Sequence, residues 1–513
     1  MALFSLFRAI LVLGLLYACY YIYWHLTTGA RHRLLIAQNK CKPVQKYSTR
    51  NPLFTFYLIS QNIKAWKSHK VLEISRSRFL RLGVNTFSVN ILGRDIIITA
   101  EPEIVKTMQS LSFKSFGMGS SRKPLQPLLG QGIFTTDGAA WQHSRDMLRP
   151  SFHRSQVGDL GMFENHVRHL IDAVPRDGTT VNLADLFLRL TMDSATEFLF
   201  GESTNCLAPG INTVSNDGFA EAFNRAQAAI VGDSRIRFIK RLLGMKTSEA
   251  DQDIKYVHEF VDTYVRKGLA KRPALLATQV PSGTKKRYIF LEELVRQTSD
   301  PLQIRYELLN ILLAGRDTTA SLLTNAWWTL SKRPDIFARL RDEVDQLGGQ
   351  PPTYEQLKDM KYVRAILNES LRLYPVVPSN SREAVEDTIL PLGGGPDGFS
   401  PVFCPKGQVV VWSLYTMHRR NDFYGEDAEE FRPERWLGEN GLRVGWEYLP
   451  FNGGPRVCLG QQLALTEASY ATIRLMQEFQ AIESRDPEDQ WIEKLTLTCV
   501  GLNGAKVALT PYQ

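Results

Sequence analysis

The chain opens on an unbroken apolar run and only later settles into periodic patterns. Residues 9–30, from "AILVLGLLYACYYIYWHL" onward, contain no Asp, Glu, Lys or Arg. At about 1.5 Å per residue, a helix of that length spans roughly the 30 Å hydrocarbon layer of a bilayer. Tyr17, Tyr20, Tyr21, Tyr23 and Trp24 crowd its far end, as an interfacial belt would. A cleaved signal peptide is the alternative, but its apolar core would be shorter, and basic residues follow here instead of a small-residue cleavage site. The expected organisation is a membrane anchor over 1–30, a basic linker over 31–52 carrying Pro43 and Pro52, and a body over 53–513.

Inside the body the period changes along the chain. "LEISRSRFLRLGVNTFSVNILGRDIIITAEPEIVKTM" alternates apolar and polar residues in short β-branched runs before turning helical, which predicts a small sheet near the start. From about 140 to 380 helical spacing dominates. Its clearest stretch runs from Pro301 to Lys332, with proline in the first turn and Arg333-Pro334 as the stop. At the same rise it is about 45 Å long, enough to cross a whole domain. "GQQLALTEASYATIRLMQEF" reads as an amphipathic helix, and "LTLTCVGLNGAKVAL" as two strands joined by Asn503-Gly504, a pair suited to the φ > 0 positions of a type I′ hairpin. The fold is mainly α with small β-sheets.

Composition narrows the class. Hydrophobic residues at 44% and charged residues at 22% match ordinary globular usage over 513 residues, which suits one large body. Six scattered cysteines (Cys19, Cys41, Cys206, Cys404, Cys458, Cys499) form no C-x-x-C pair, against a disulfide framework or a zinc ribbon. The net charge of +8 suggests a nucleic-acid binder until it is located. Residues 1–72 hold ten Lys/Arg and no acid, while the remainder has 51 basic against 53 acidic residues. The excess therefore belongs to the N-terminus, and no nucleic-acid partner is expected. Arg31, Arg33, Lys40, Lys42 and Lys46 follow the apolar run against Arg8 before it, which puts the body on the cytosolic side.

One cysteine stands in an unusual loop. "FNGGPRVCLG", residues 451–460, surrounds Cys458 with glycines that let a flat ligand approach the main chain. Arg456, two residues before it, is placed to favour thiolate and to bind an acidic ligand edge. Elsewhere "AGRDTT" sets Ala314-Gly315 beside Asp317 and Thr318, an acid and a hydroxyl where a missing side chain leaves room. "NESLRLYP" puts Glu369 and Arg372 on one helix face, and "WQHSR" puts Trp141 and Arg145 at i and i+4. Taken alone, an E-x-x-R pair is usually a solvated salt bridge.

Phe451, Gly454, Arg456, Cys458 and Gly460 match F-x-x-G-x-R-x-C-x-G, and with this motif the chain resembles the cytochrome P-450 superfamily of haem-thiolate monooxygenases over essentially its whole length. The resemblance implies the cytochrome P-450 fold and a haem (heme b, iron protoporphyrin IX) with Cys458 as the axial iron ligand. No C-x-x-C-H is present, so the haem should be held without covalent attachment. By the same resemblance Trp141, Arg145, Arg456 and Arg382 of "PSNSREAVEDT" contact the haem propionates, and Phe451 and Gly460 shape the cysteine loop. Asp317 and Thr318 would be the proton-delivery pair, with Thr319 adjacent and confusable. Glu369, Arg372 and Arg435 of "FRPERW" would form a buried structural network whose loss prevents haem incorporation.

No G-x-G-x-x-G follows a strand and no flavin module is appended, so electrons must come from a partner. For a membrane-anchored member the family implies the NADPH-dependent diflavin reductase of the endoplasmic reticulum, with cytochrome b5 as a second donor, and O2 as co-substrate. "RLYPVVPSNSREAVEDTILPLGGGPDG" and "FRPERWLGENGLRVGWEYLPFNGGPRVCLGQQLALTEASY" look most like the fungal branch that hydroxylates n-alkanes and fatty acids. That branch implies an apolar small-molecule substrate in a narrow channel, with Ala314, Val377, Pro378 and Leu502 in segments that usually face it; plain core is their other reading. Tailoring enzymes of fungal natural-product pathways share these motifs. A haem-thiolate isomerase or dehydratase would tend to lose the acid-Thr pair that this chain keeps. A non-catalytic haem-binding membrane protein would consume no NADPH.

Overall fold

The apolar N-terminal run is one helix, α1 (Ala2–Leu26), followed by α2 (Thr28–Gln38). These come from a computed structural model that describes residues 2–47, 52–91, 93–153, 159–208, 214–232, 249–277 and 288–512. The apolar stretch within Ile10–Gln38 is long enough to cross a bilayer, and none of it is buried among the described residues. Residues 31–38 of the stretch expected as a linker are thus helical, and 48–51 lie outside the described residues. In α3 (Pro52–Lys67) Leu58 and Ala65 are buried, while Phe56, Ile63 and Trp66 point outward.

The alternation read at 72–82 forms no strand. These residues lie in α4 (Val71–Leu82), where the buried pair is Leu72 and Phe79, seven apart and on one helical face. Alternating Ser and Arg imitated a period of two. Glu493 accepts from the N–H groups of Val71 (2.5 Å) and Leu72 (2.9 Å), supplying the first turn with acceptors that its own sequence lacks.

The chain divides into two compact units, Met1–Leu58 with Ser77–Gly117 and Ser381–Trp412, and the remainder. The first carries a five-stranded sheet of β1 (Thr86–Ile91), β2 (Arg94–Thr99), β3 (Phe116–Gly117), β5 (Ser379–Ala384) and β8 (Val409–Ser413), in the order β1-β2-β8-β5-β3. β1 and β2 are antiparallel, with Val89 opposite Ile96, and β2 runs parallel to β8. β6 (Thr388–Gly394) and β7 (Ser400–Cys404) form a separate ribbon.

The second unit is helical. Its principal helices are α5 (Gly138–Leu148), α6 (Leu160–Asp172), α7 (Leu183–Phe200), α8 (Val214–Gly232), α9 (Glu249–Ala277), α10 (Pro301–Lys332), α11 (Lys361–Leu373) and α12 (Gln461–Glu478). The long helix keeps the boundaries that its proline and stop signals predict. Asp300 caps it by accepting from Leu302 N–H at 2.9 Å. Trp327, Leu323, Leu190, Leu371, Ala468 and Ile473 share one core, so α10 runs through it with α7, α11 and α12 packed around.

The hairpin expected at Asn503-Gly504 does not form. β11 (Cys499–Gly501) pairs with β10 (Glu493–Leu495), while β12 (Lys506–Pro511) pairs with β9 (Phe479–Ser484) and β4 (Val181–Asn182). Gly504 is left-handed at φ +74° but Asn503 is not, so a type I′ turn is absent. Asn182 explains the outcome: its Oδ1 accepts from Ala505 N–H at 3.1 Å and would sit 2.4 Å from a Cβ on residue 504.

Candidate active site

Trp141 and Arg145 are one turn apart on α5, and the cysteine loop brings Arg456 to the same ring. The guanidinium carbon of Arg456 lies 4.3 Å from the Trp141 centroid and that of Arg145 5.7 Å. Arg145 donates to Val457 O at 3.0 Å, fixing the residue before the cysteine. Arg456 donates to Asp137 at 2.6 Å and to Thr136 O at 3.0 Å. Burial pushes the Arg456 guanidinium down to about 10; Asp137 opposes this, and Arg122 and Arg145 add like-charge repulsion. Three guanidinium groups therefore lie near one another, Arg456 paired with Asp137 and Arg145 close to Asp146. Arg122, held by Asn380 at 2.8 Å, belongs to no sequence motif and was missed.

Cys458 donates its backbone N–H to Phe451 O at 2.9 Å, which closes the loop just before α12. Phe451 itself packs on the core, so the loop is anchored at its first residue. The glycines serve as expected at Gly454, which is left-handed at φ +63°. The Cys458 sulfur borders a cavity of about 540 Å³ lined by Trp141, Arg145, Phe152 and Val457 among others. Enclosure by the loop raises the thiol pKa, while a hydrogen bond from Gly460 N–H and the charge of Arg145 lower it. Arg145 is thus the cation that favours thiolate. Arg456, expected to do so, is committed to Asp137.

Between Glu307 and Leu330, α10 is buried except along one strip. Ile311, Ala314, Gly315 and Thr318 are only partly buried, at i, i+3, i+4 and i+7. A Cβ added at Gly315 would meet nothing within 4 Å, so space lies alongside. Thr318 Oγ1 donates to Ala314 O at 2.6 Å. Thr319 is buried, which leaves Thr318 as the hydroxyl on the strip. Asp317 is not on it. Its carboxylate accepts from Gln227 of α8 and, at 3.1 Å, from Arg316, which also donates to Asn224 at 2.5 Å. The structure therefore separates the expected acid-hydroxyl pair onto two faces of α10. No sequence signal pointed to Gln227 or Asn224.

Glu369, Arg372 and Arg435 do meet, fully enclosed. Arg372 donates to Glu369 through Nε (2.9 Å) and Nη2 (2.8 Å), and to the carbonyls of His418, Ala428 and Glu430. Arg435 Nε donates to Glu369 at 2.8 Å. Trp436 Nε1 joins at 2.9 Å; it is adjacent to Arg435 in "FRPERW" and was legible there.

Arg382 belongs to the first unit, buried over the Trp412 ring at 5.3 Å and donating to Ser381 O. In the second unit Cys499 N–H donates to Val376 O at 2.8 Å, bringing the Val377-Pro378 segment beside β11, which ends just before Leu502. Ser321 Oγ donates to Thr498 Oγ1 at 3.0 Å, so these residues gather at the later half of α10. Pro378 is buried, while Val377 and Leu502 are half-buried. Ala314 lies seven residues before Ser321, about 10 Å of helix rise.

A family model described as cytochrome P450 matches residues 53–502. "Cytochrome P450 monooxygenase himC" of Aspergillus japonicus is 45% identical over 474 residues, 91% of this chain and 84% of that one. "Cytochrome P450 52A12" of Debaryomyces hansenii is 43% identical, covering 89% of this chain and 90% of that one. "Cytochrome P450 52A1" of Candida tropicalis is 44% identical, with 83% and 80% covered. Among solved structures a cytochrome P450DA heme domain superposes with a TM-score of 0.75 at 22% identity, over 92% of this chain and 99% of that one, a likeness of fold. The residues in hand fit the haem that this family carries. Arg122 and Arg145 both repel Arg456, a positive cluster suited to an anionic edge, and Cys458 lines the cavity beside Arg145.

Proposed function

Because the chain belongs to the cytochrome P450 family of oxygen-incorporating oxidoreductases, we propose that it is a membrane-anchored haem-thiolate monooxygenase hydroxylating the terminal C–H bond of a fatty acid or n-alkane. The observation that carries this reading is Cys458 lining a cavity in a loop fastened by Arg145, beside a cluster of guanidinium groups. Cys458 would hold the iron, and Trp141, Arg145 and Arg456 the propionates, with Arg122 added to that set. When bound, the haem supplies activation of O2, so that one atom enters the C–H bond and the other leaves as water with two electrons and two protons.

The chain's own residues do the rest. Gly315 keeps the strip open, and Ile311 and Ala314 make it apolar, which favours an aliphatic chain and excludes water. Thr318 Oγ, bonded to Ala314 O, is the hydroxyl that would pass a proton there. Asp317 would supply that proton only after letting go of Gln227, so in the geometry described it is held in reserve. The exposed helix α1 and the basic residues after it favour a single-pass anchor in the endoplasmic reticulum, with the body cytosolic and electrons delivered from NADPH by a diflavin reductase or cytochrome b5.

A tailoring role in a specialised-metabolite pathway is the second reading. It is favoured by relatives named outside the 52A series at the same level of identity, such as "Cytochrome P450 monooxygenase fsdH" of Fusarium heterosporum at 41%. The two part company in one experiment: the full chain in microsomes with reductase and NADPH, given a chain-length series of alkanes and fatty acids, with hydroxylated positions read by mass spectrometry. Terminal alcohols or diacids support the first reading. A thiolate-type spectrum of the reduced carbon monoxide complex without turnover supports the second.

A further inference from the structure

Asn310 sits on α10 one turn before Ala314, is wholly buried, and none of the motifs above includes it. Its amide is fully engaged. Nδ2 donates to Leu129 O at 2.9 Å and to Tyr306 O at 2.7 Å, while Oδ1 accepts from Phe134 N–H at 3.2 Å. A buried asparagine that joins both ends of a loop to a helix is there for geometry, since an apolar residue would fill the same volume without a desolvation penalty.

The loop is shaped to be held this way. Gly130 is left-handed at φ +57°, and a Cβ there would fall 2.2 Å from the Tyr306 ring. At Gly132 a Cβ would fall 2.3 Å from Asn310 Nδ2. Only glycine lets the main chain come so near α10 at both positions. Thr135 Oγ1 and Thr136 Oγ1 tie the loop to itself through Gly130 O and Gly132 O, both within 2.8 Å. Its far end carries Ile133 O and Thr136 O, which accept from Arg456 of the cysteine loop. The loop is therefore fastened at one side to the helix of the open strip and at the other to the loop of Cys458.

We propose that Asn310 is a positioning residue whose clasp on residues 129–136 sets the wall of the substrate space, and so the position at which a chain is oxidised. The proposal rests on reading the α10 strip as the place where substrate lies. His258, which bonds Leu128 O at 2.8 Å, holds the start of the loop independently, so loss of the clasp loosens 129–136 without freeing α9.

The test uses the full haem-loaded chain in membranes, with Asn310→Ala, Gly132→Ala and the double variant. Each single change should raise amide hydrogen exchange within 129–136 about tenfold, spread hydroxylation over more carbons and raise KM more than it lowers kcat, with the thiolate-type spectrum intact. The double variant should fall well short of the two effects combined, because removing the Asn310 side chain removes the atoms that a residue-132 Cβ would strike. Asn310→Ser, uncharged and still able to donate to Tyr306 O one turn back, should lie between wild type and Asn310→Ala and serves if the alanine variant does not fold. Unchanged exchange in 129–136 overturns the clasp. Raised exchange with an unaltered product distribution overturns its role in specificity. If wild type oxidises no member of the chain series, the substrate reading has failed by itself, and exchange still decides the clasp.

Discussion

Two clusters of arginines in the helical unit are finished to different degrees. Around Glu369 all five N–H groups of Arg372 are used within the chain, and the carboxylate also receives Arg435, Trp436 and the backbone of Arg432. Around Cys458, Arg456 pairs with Asp137 and is repelled by Arg122 and Arg145, Asp146 lies near Arg145, and Cys458 lines a cavity. A closed network has its desolvation offset by its own bonds and acts as a joint. An open one keeps charge in reserve, and in a buried setting that surplus is tolerable only where a ligand completes it.

The largest effect should come from breaking the closed cluster. Arg372→Ala takes two charged hydrogen bonds from the buried Glu369 carboxylate and leaves three buried carbonyls without their donor, a loss of about 3–5 kcal/mol. Little haem-loaded protein should be recovered, as read by urea unfolding and the reduced carbon monoxide spectrum. A stable, loaded Arg372→Ala protein would erase the distinction between the clusters. Cys458→Ser should leave far-ultraviolet circular dichroism unchanged and abolish the thiolate-type spectrum. If that spectrum survived, Cys458 would not be the ligand.

Next in size is Arg145→Ala. It removes the bond to Val457 O, the stacking on Trp141 and the charge that lowers the Cys458 thiol pKa. Haem affinity should fall by about tenfold, the loss of one charged hydrogen bond, and alkylation of Cys458 in haem-free protein should need a higher pH. An unchanged alkylation profile would count against Arg145 as the favouring cation. Thr318→Ala should cost less still: stability within about 1 kcal/mol, but product formed per NADPH falling with peroxide appearing instead. Full coupling in that variant would remove Thr318 from proton delivery.

How far these clusters could be read from sequence follows from how local their partners are. Glu369 and Arg372 are three apart, and Arg435 stands in a short motif beside Trp436. The limits of α10 were written in Asp300-Pro301 and Arg333-Pro334, because capping and proline chemistry act within one turn. Asp317 was placed on that helix, but the direction of its side chain was not legible, since Gln227, to which it bonds, lies ninety residues upstream. Arg122 and Asn310 carry no local signature for the same reason. Of the strands at 493–511, β11 and β12 were read but mispaired and β10 was not read as a strand of its own, because pairing depended on Asn182 and β9 rather than on the turn residues.

His418 gives the finest probe of the closed cluster, because it contributes no charge. Its carbonyl accepts from Arg372 at 2.8 Å, and its ring Nε2 accepts from Leu449 N–H at 3.0 Å, so the ring is neutral with its proton on Nδ1. Burial, with Arg372 and Arg419 nearby, pushes its pKa from 6.5 down to about 3. Between those values the unfolded chain takes up a proton that the folded ring refuses. The native state is therefore favoured above pH 6.5 and loses ground as pH falls, by up to about 1.4 kcal/mol per pH unit from this group. His418→Gln keeps an acceptor for Leu449 N–H and has nothing to titrate. Its urea midpoint should drop less steeply than that of wild type between pH 6.5 and 5. Parallel slopes would mean that the folded ring can be protonated, and that the joint around Glu369 is more open to water than its hydrogen bonds imply.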